Sequence, residues 1–265
     1  MDAGHFSGLN NQTILFNGIT ATETEYNYEF VDWHYHDTPH FALTIHGDFR
    51  EGTRKETYEG SSDSLLFHNW QEPHYNVKPA GITRGFQLEL SHNWCQKFEL
   101  DLDKLPLSAN ITNPNVKLLF YNIFKEAKRP DDSSNLTIDA LLLQTFASLR
   151  EVETVKHSTT PRWVKQIDEI LHERYEQPIS LQNLADELHL HWAHLSRDFP
   201  RYFHCNFSQY LRKIKVEKSL ALLRKRELSL AEIALACGFS DQSHFTRCCK
   251  EFTGITPKAF RKLSQ

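Results

Sequence analysis

The sequence predicts an α+β chain in which an N-terminal antiparallel β-barrel or sandwich precedes two linker helices and an all-helical C-terminal domain. Three observations support this prediction. Short runs of alternating apolar residues occupy residues 14–90, apolar residues then recur at helical spacing, and beyond Pro161 only helical spacing remains. With 265 residues, of which 40% are hydrophobic, the chain can form more than one core. The expected domains are 1–112, 113–160 and 161–265.

The β-like part of the chain contains short apolar alternations separated by Gly or Pro. This pattern is typical of antiparallel strands that are buried on one face. The alternating sets are Tyr26, Tyr28 and Phe30, then Phe41, Leu43 and Ile45, then Phe86, Leu88 and Leu90.

Two amphipathic helices are expected between the domains, at 114–127 and 137–152. Asn113 and Pro114 supply an N-cap and a first-turn proline for the first helix. Both helices have an apolar stripe, which either covers the barrel or forms a dimer contact, and the sequence does not separate these uses. Glu153 to Thr160 has little apolar content and is the expected linker.

Charge is distributed unevenly along the chain. The net charge of −4 divides into −9 before Pro161 and +5 from Pro161 onward, which favours a polyanionic partner for the second part only. The five cysteines form no pair of C-x-x-C motifs, and no run of about 18 apolar residues or signal-like leader is present. We therefore expect a cytoplasmic protein without disulfides or membrane association.

The C-terminal part contains an internal repeat. Ser180 to Ala185 is echoed by Ser229 to Ala234 at an offset of 49, and Leu195 to Arg197 by Phe245 to Arg247 at an offset of 50. A repeated helical hairpin is also the unit of solenoids, but two copies are too few for a solenoid. Residues 207–226 can form one connecting helix.

Each copy has the features of a helix-turn-helix unit, at about 180–203 and 229–252. A serine caps the first helix, and Ser229 has Glu232 at capping-box spacing. Ala185 and Ala234 permit a close helix crossing, Gly238 suits the turn, and Ser240 is the expected cap of the next helix. Six residues on the second helices are predicted to face inward: Leu195, Phe199, Phe203, Phe245, Cys249 and Phe252.

The opposite face of each second helix presents side chains that can contact bases or phosphates. The predicted DNA-binding residues are Ala193, His194, Ser196, Arg197 and Arg201 in the first unit, and Gln242, Ser243, His244, Thr246, Arg247 and Lys250 in the second.

Residues 163–263 resemble the DNA-binding domain of the AraC/XylS family of transcription regulators. The resemblance rests on two stretches, IALACGFSDQSHFTR at 233–247 and FTGITPKAFR at 252–261. It implies that the two recognition helices enter successive major grooves of double-stranded DNA. His189 and His204 replace turn glycines of the family, and Pro200 lies inside the first recognition helix, where it removes one backbone donor.

Six of the fifteen histidines lie in the β-rich part: His34, His36, His40, His46, His68 and His74. The stretches Trp33 to Gly47 and Gln71 to Asn76 resemble the two motifs of the cupin barrel, with His40 near the place of the motif glutamate. The resemblance implies a cupin-like sensing domain at 1–112. The candidate effector-binding residues are Trp33, His34, His36, His40 and His74.

Four of these histidines, His34, His36, His40 and His74, are also candidate ligands of a divalent metal such as zinc or iron. The alternative is a polar pocket without metal, and no cofactor is required. Trp33, Trp70 and Tyr75 suit stacking against a sugar or another ring, or belong to the core.

The expected function is a transcription regulator that is not an enzyme and that responds to a small-molecule effector such as a sugar. Its expected partners are DNA, RNA polymerase and a second copy in a homodimer. The alternatives are a metal-dependent cupin isomerase or dioxygenase with an accessory DNA-binding domain, and a regulator without effector. Effector identity, operator, and activation versus repression are not readable from the sequence.

Overall fold

The computed structural model describes residues 6, 8–26, 28–79, 81–105, 107–157, 161–225 and 227–263, without the side chains of 150–157. The chain divides into two compact units. One contains residues 1–112 and 123–140, and the other contains residues 113–122 and 141–265. Each is described by itself below.

The first unit contains two antiparallel sheets. Its strands are β1 (Leu9–Phe16), β2 (Ile19–Tyr26), β3 (Phe30–His34), β4 (His40–His46), β5 (Phe49–Thr53), β6 (Thr57–Gly60), β7 (Leu65–His68), β8 (His74–Val77), β9 (Thr83–Leu90) and β10 (Ser108–Asn110). Six strands form one sheet in the order β1-β2-β9-β4-β7-β10, and four form the other in the order β3-β8-β5-β6.

The core of this unit follows the predicted alternation in two of the three runs. Phe41, Leu43 and Ile45 on β4 are buried, as are Phe86, Leu88 and Leu90 on β9, which pairs with β4. The third run was predicted wrongly. Tyr26 ends β2 and Phe30 begins β3, so Tyr28 and Phe30 are exposed aromatic residues near a strand change rather than one inward face.

A buried carboxylate lies on β2 of the same unit. Glu23 is almost fully buried and forms ion pairs with Arg84 of β9 and with Lys128. Burial opposes ionisation, but the two cations outweigh it and the pKa of Glu23 lies below its ordinary value.

Three helices follow β9. They are α1 (His92–Lys97), α2 (Pro114–Lys128) and α3 (Ser134–His157). The predicted start of α2 is confirmed, because the Asn113 side chain accepts a hydrogen bond from the Asn115 backbone at 2.9 Å. Since α3 extends to His157, the prediction that the linker begins at Glu153 was wrong. The remaining linker residues, 158–160, lie outside the described residues.

The second unit is helical throughout its described residues. After α3 it contains α4 (Arg162–Arg174), α5 (Leu181–Glu187), α6 (Trp192–Phe203), α7 (Phe207–Leu223), α8 (Leu230–Ala236), α9 (Gln242–Thr253) and α10 (Pro257–Leu263). One hydrophobic cluster joins α4, α5, α6 and the start of α7, with Ile167, Leu184 and Phe199 among its fully buried members. The predicted connecting helix is α7, which ends at Leu223.

The same unit contains a buried ion pair between α2 and α7. The ammonium group of Lys117 contacts Glu217, whose side chain is fully buried, and Lys218 approaches the second carboxylate oxygen of Glu217 at 3.6 Å. Asn122 of α2 also donates a hydrogen bond to the carbonyl of Phe252. Residues 113–122 are therefore packed into this unit.

All five cysteines are buried and reduced. Burial raises the pKa of Cys95 and Cys249 to about 11 and that of Cys237 to about 12. Among the described residues, no helix is both long enough and apolar enough to cross a bilayer.

Candidate functional site

Two pairs of helices in the second unit repeat the same local construction. In α5–α6 and in α8–α9 a serine caps the short helix: Ser180 accepts from the Asn183 backbone, and Ser229 forms a complete capping box with Glu232. Ala185 and Ala234 are fully buried, as a close crossing of the paired helices requires. The two predicted short helices and their caps are confirmed.

The turns and helix ends of both pairs use left-handed backbone. Gly238 (φ +70°) and Gly254 (φ +74°) hold these positions in the second pair, and His189 (φ +55°) and His204 (φ +56°) hold them in the first. A β-carbon at Gly238 would lie 2.3 Å from the carbonyl oxygen of Glu176, so this position requires glycine for space as well as conformation. In the first pair histidine occupies both positions, and a side chain in this conformation adds backbone strain.

The cap of α9 differs from the prediction. Asp241, not Ser240, is the N-cap, and its carboxylate accepts from the His244 backbone at 2.7 Å. The Ser240 hydroxyl instead contacts the His244 ring at 3.1 Å. In the first pair His191 caps α6, its ring accepting from the Ala193 backbone.

The two longer helices are amphipathic in the predicted orientation. Leu195, Phe199 and Phe203 of α6 and Phe245 and Cys249 of α9 are buried. Phe252 was wrongly placed among the inward residues because it is only half-buried, and Cys248 is buried instead. Pro200 is accommodated without ending α6, which continues to Phe203.

Nearly all the predicted DNA-binding side chains lie on the exposed faces of α6 and α9. The exposed ones are Ala193, His194, Ser196, Arg197, Arg201, Gln242, Ser243, Arg247 and Lys250. His244 and Thr246 are half-buried. The His244 ring packs edge-on against Phe239, and the Thr246 hydroxyl donates to the carbonyl of Gln242. Both side chains therefore already have contacts within the protein.

The arginines at corresponding places of the two helices differ in their partners. Arg197 forms an ion pair with its neighbour Asp198 at 3.1 Å and approaches the His194 ring at the same distance. Arg247 has no ion-pair partner within the described part of the chain. A phosphate or base can therefore engage Arg247 directly, whereas it competes with Asp198 for Arg197.

A second cluster of polar residues lies between the two sheets of the first unit. Strand register creates it, because His34 of β3 pairs with His74 of β8, and His40 of β4 pairs with His68 of β7. His36 lies in the loop between β3 and β4, with its ring centroid 4.4 Å from that of His40. We call these five residues the histidine cluster.

The cluster lines a small cavity of about 60 Å³. Glu51, Lys78 and Gln87 also line it, and the ring of Phe6 covers His36 at a centroid distance of 4.9 Å. Burial lowers the pKa of all five histidines, that of His74 to about 4, and neighbouring imidazoles lower it further in every member except His34, on which Lys78 acts instead. Burial also raises the pKa of Glu51 to about 8 and lowers that of Lys78 to about 8. The cavity is therefore lined largely by neutral groups at neutral pH.

The structure brings together four of the predicted effector-binding residues and excludes the fifth. His34, His36, His40 and His74 line the cavity, whereas Trp33 is 51% exposed and lies outside it, because consecutive residues of a strand point to opposite faces. Trp70 is also partly exposed, and neither it nor Tyr75 lines the cavity. His46 is exposed.

His68 and Glu51 are among the cavity residues to which the sequence assigned no role. The Nε2 atom of His68 lies 3.1 Å from Oε1 of Glu51, in an orientation that does not meet hydrogen-bond geometry. His68 carried a weak signal as a polar residue ending an apolar strand. Glu51 carried none, because its place depends on the pairing of β5 with β8.

Residues 184–263 match the family model described as a helix-turn-helix domain. The transcriptional regulator GbdR of Pseudomonas aeruginosa is 32% identical over 99 residues, which are 37% of this chain and 27% of that protein. The Msm operon regulatory protein of Streptococcus mutans is 30% identical over 149 residues, 54% of each protein. The predicted resemblance to the AraC/XylS regulators is thereby confirmed, and the relatives give no support to the enzyme alternative.

The chain spans about a quarter to a half of the length of these relatives. Among solved structures, ToxT from Vibrio cholerae aligns with 94% of this chain and 98% of its own, at 11% identity and a TM-score of 0.42.

Proposed function

We propose that this chain, whose residues 184–263 form an AraC-type helix-turn-helix domain, is a cytoplasmic transcription regulator that reads double-stranded DNA through two helix-turn-helix units. The observation that carries the proposal is the duplicated construction of α5–α6 and α8–α9. In each pair a capped short helix crosses a longer amphipathic helix whose outer face is polar and carries arginine.

The second unit is expected to supply most of the base readout. Arg247 and Gln242 on α9 are exposed, and Arg247 has no ion pair to give up among the described residues. Arginine binds guanine and glutamine binds adenine through paired hydrogen bonds in the major groove. In the first unit Asp198 offsets part of the charge of Arg197, so we assign α6 chiefly to phosphate contacts.

The test begins with operator sequences selected from random DNA by the full chain, followed by titration of labelled operator at fixed salt. We expect Arg247→Ala to weaken binding by about 1–3 kcal/mol, roughly 5- to 150-fold, and to relax the preference for one base. Arg162→Ala is the matched control, because it removes an exposed arginine of α4 from the same unit. Equal affinity and equal base preference in wild type and Arg247→Ala would remove Arg247 from the interface.

We assign effector sensing to the first unit, at the cavity lined by the histidine cluster. A ligand acts on DNA binding only if it binds two conformations of the protein with different affinity. A buried polar cavity between two sheets supports such a role, because its occupant changes the packing of both. The family resemblance further supports RNA polymerase and a second copy of the chain as partners, and sedimentation of the free and DNA-bound protein tests the dimer.

A further inference from the structure

We propose that His34, His36 and His74 form a binding site for one divalent transition-metal ion, and that this ion is the signal to which the regulator responds. The second half of this statement rests on the proposed function, whereas the metal site itself does not.

The three imidazoles are close enough to share one ion. One ring nitrogen from each residue lies within 4.8 Å of the corresponding atoms of the other two. In a tetrahedral zinc site with Zn–N bonds of about 2.0–2.1 Å, the ligand nitrogens are about 3.4 Å apart. Small rotations of the rings about χ1 and χ2 would close this difference.

Hydrogen bonds to the backbone fix the tautomer of two of the three rings. Nδ1 of His34 lies 2.7 Å from the carbonyl oxygen of Asp32, and Nδ1 of His74 lies 3.0 Å from that of Glu72. A carbonyl oxygen only accepts, so each Nδ1 carries the proton and each Nε2 keeps its lone pair. In metal sites a backbone carbonyl commonly accepts a hydrogen bond from the ring nitrogen that does not bind the metal, and this bond orients the histidine ligand.

The cluster has more acceptor atoms than the protein satisfies. Within the part of the chain that the structure describes, Nδ1 of His36 and Nε2 of His68 are buried without a hydrogen-bond partner. Both residues are at least 98% buried. Leaving such groups unpaired is unfavourable, and a bound cation with its coordinated water would offset that cost.

The size and chemistry of the cavity indicate the class of ion. A volume of about 60 Å³ holds a few water molecules, while pockets for small organic ligands measure about 300–1,000 Å³. The cavity therefore fits an ion with one or two waters better than a sugar. Imidazole ligands favour Zn²⁺, Fe²⁺, Ni²⁺ or Cu²⁺ over Mg²⁺ and Ca²⁺, which prefer oxygen.

The metal site is tested on the full chain, purified without an affinity tag and stripped with chelator, by calorimetric titration with Zn²⁺ and by the visible spectrum of the Co²⁺ form. We expect one ion per chain and the intense absorption of low-coordinate Co²⁺. His34→Ala and His74→Ala should weaken Zn²⁺ binding at least as much as loss of an outer-shell partner does, about 10- to 100-fold. His34 is only half-buried, so its variant also serves if His74→Ala fails to fold.

The exposed His46 supplies the matched control, because His46→Ala removes an imidazole from β4 outside the cavity and should bind Zn²⁺ like the wild type. Failure of the wild type to bind Zn²⁺ or Co²⁺, or equal binding by wild type and His34→Ala, would overturn the site.

The regulatory half is tested by titrating selected operator DNA with the stripped and the Zn²⁺-loaded chain. We expect at least a fivefold difference in operator affinity that is absent in His34→Ala. Equal affinity of the two wild-type forms would overturn the ion as the signal and leave the site intact. If no form of the protein prefers one DNA sequence, the proposed function is contradicted instead. The calorimetric test of the metal site does not depend on that function.

Discussion

Replacing Lys117 with methionine tests whether residues 113–122 belong energetically to the helical unit. The substitution keeps the length of the side chain but removes the cation that faces the fully buried Glu217. Removing one partner of a buried ion pair costs about 3–5 kcal/mol, because the remaining charge stays in a medium that solvates it poorly. Lys218, at 3.6 Å and one-third exposed, compensates part of this cost. We therefore expect the free energy of unfolding of the helical unit to fall by about 3 kcal/mol.

Native-state hydrogen exchange of peptides from α7 measures this loss within the helical unit. The double variant Lys117→Met with Glu217→Leu is the control, since it removes both charges and fills the space with apolar groups. The double variant should restore the free energy of opening of α7 to within about 1 kcal/mol of the wild-type value. Exchange in α7 that is as slow in Lys117→Met as in the wild type would show that the contact contributes nothing. Residues 113–122 would then not belong energetically to the helical unit.

Three further predictions concern backbone, pH and charge. Gly238→Ala should lower the free energy of unfolding, measured in urea, by about 2–5 kcal/mol, because the added β-carbon would meet the Glu176 carbonyl. His204→Gly should raise the same free energy by about 0.5–1 kcal/mol, because glycine relieves the strain of the left-handed backbone there. Glu23→Gln should be less stable than wild type at pH 7, and the difference should shrink as pH falls below 4.5, the ordinary pKa of glutamate, and through the lowered pKa of Glu23. A difference that does not shrink below pH 4.5 contradicts this. Asp198→Asn should tighten binding to any DNA, measured by anisotropy, because Arg197 then loses its competitor; weaker binding would refute the offset.

The helical part of the fold could be predicted from the sequence because its determinants are local. The serine caps, the buried alanines and the turn glycine each act within a few residues, and each occupies its predicted place. The errors there are small shifts: Asp241 caps α9 in place of Ser240, since either side chain can reach the free backbone amides. The helix α3 extends to His157 although its last turns have little apolar content, because no Gly or Pro in that stretch breaks the helix.

The histidine cluster could be predicted only in part because it depends on strand pairing. The resemblance to the cupin motifs singled out four of its members, but His68 joins them only because β7 pairs with β4 in a register that sets it opposite His40. Trp33 lies outside the cavity because its neighbour on the strand, His34, points inward. The register between distant strands is set by the whole sheet and cannot be predicted from either segment alone.

The burial of every cysteine makes the thiols natural reporters of local opening. Thiolate is the form that reacts with alkylating reagents, and burial both raises the thiol pKa and blocks access, so labelling at neutral pH must wait for the surrounding structure to open. Cys95 lies in the unit of two sheets and the other four cysteines lie in the helical unit. The labelling rate of each thiol, resolved by mass spectrometry, thus measures how often each unit opens, without any mutation or attached probe.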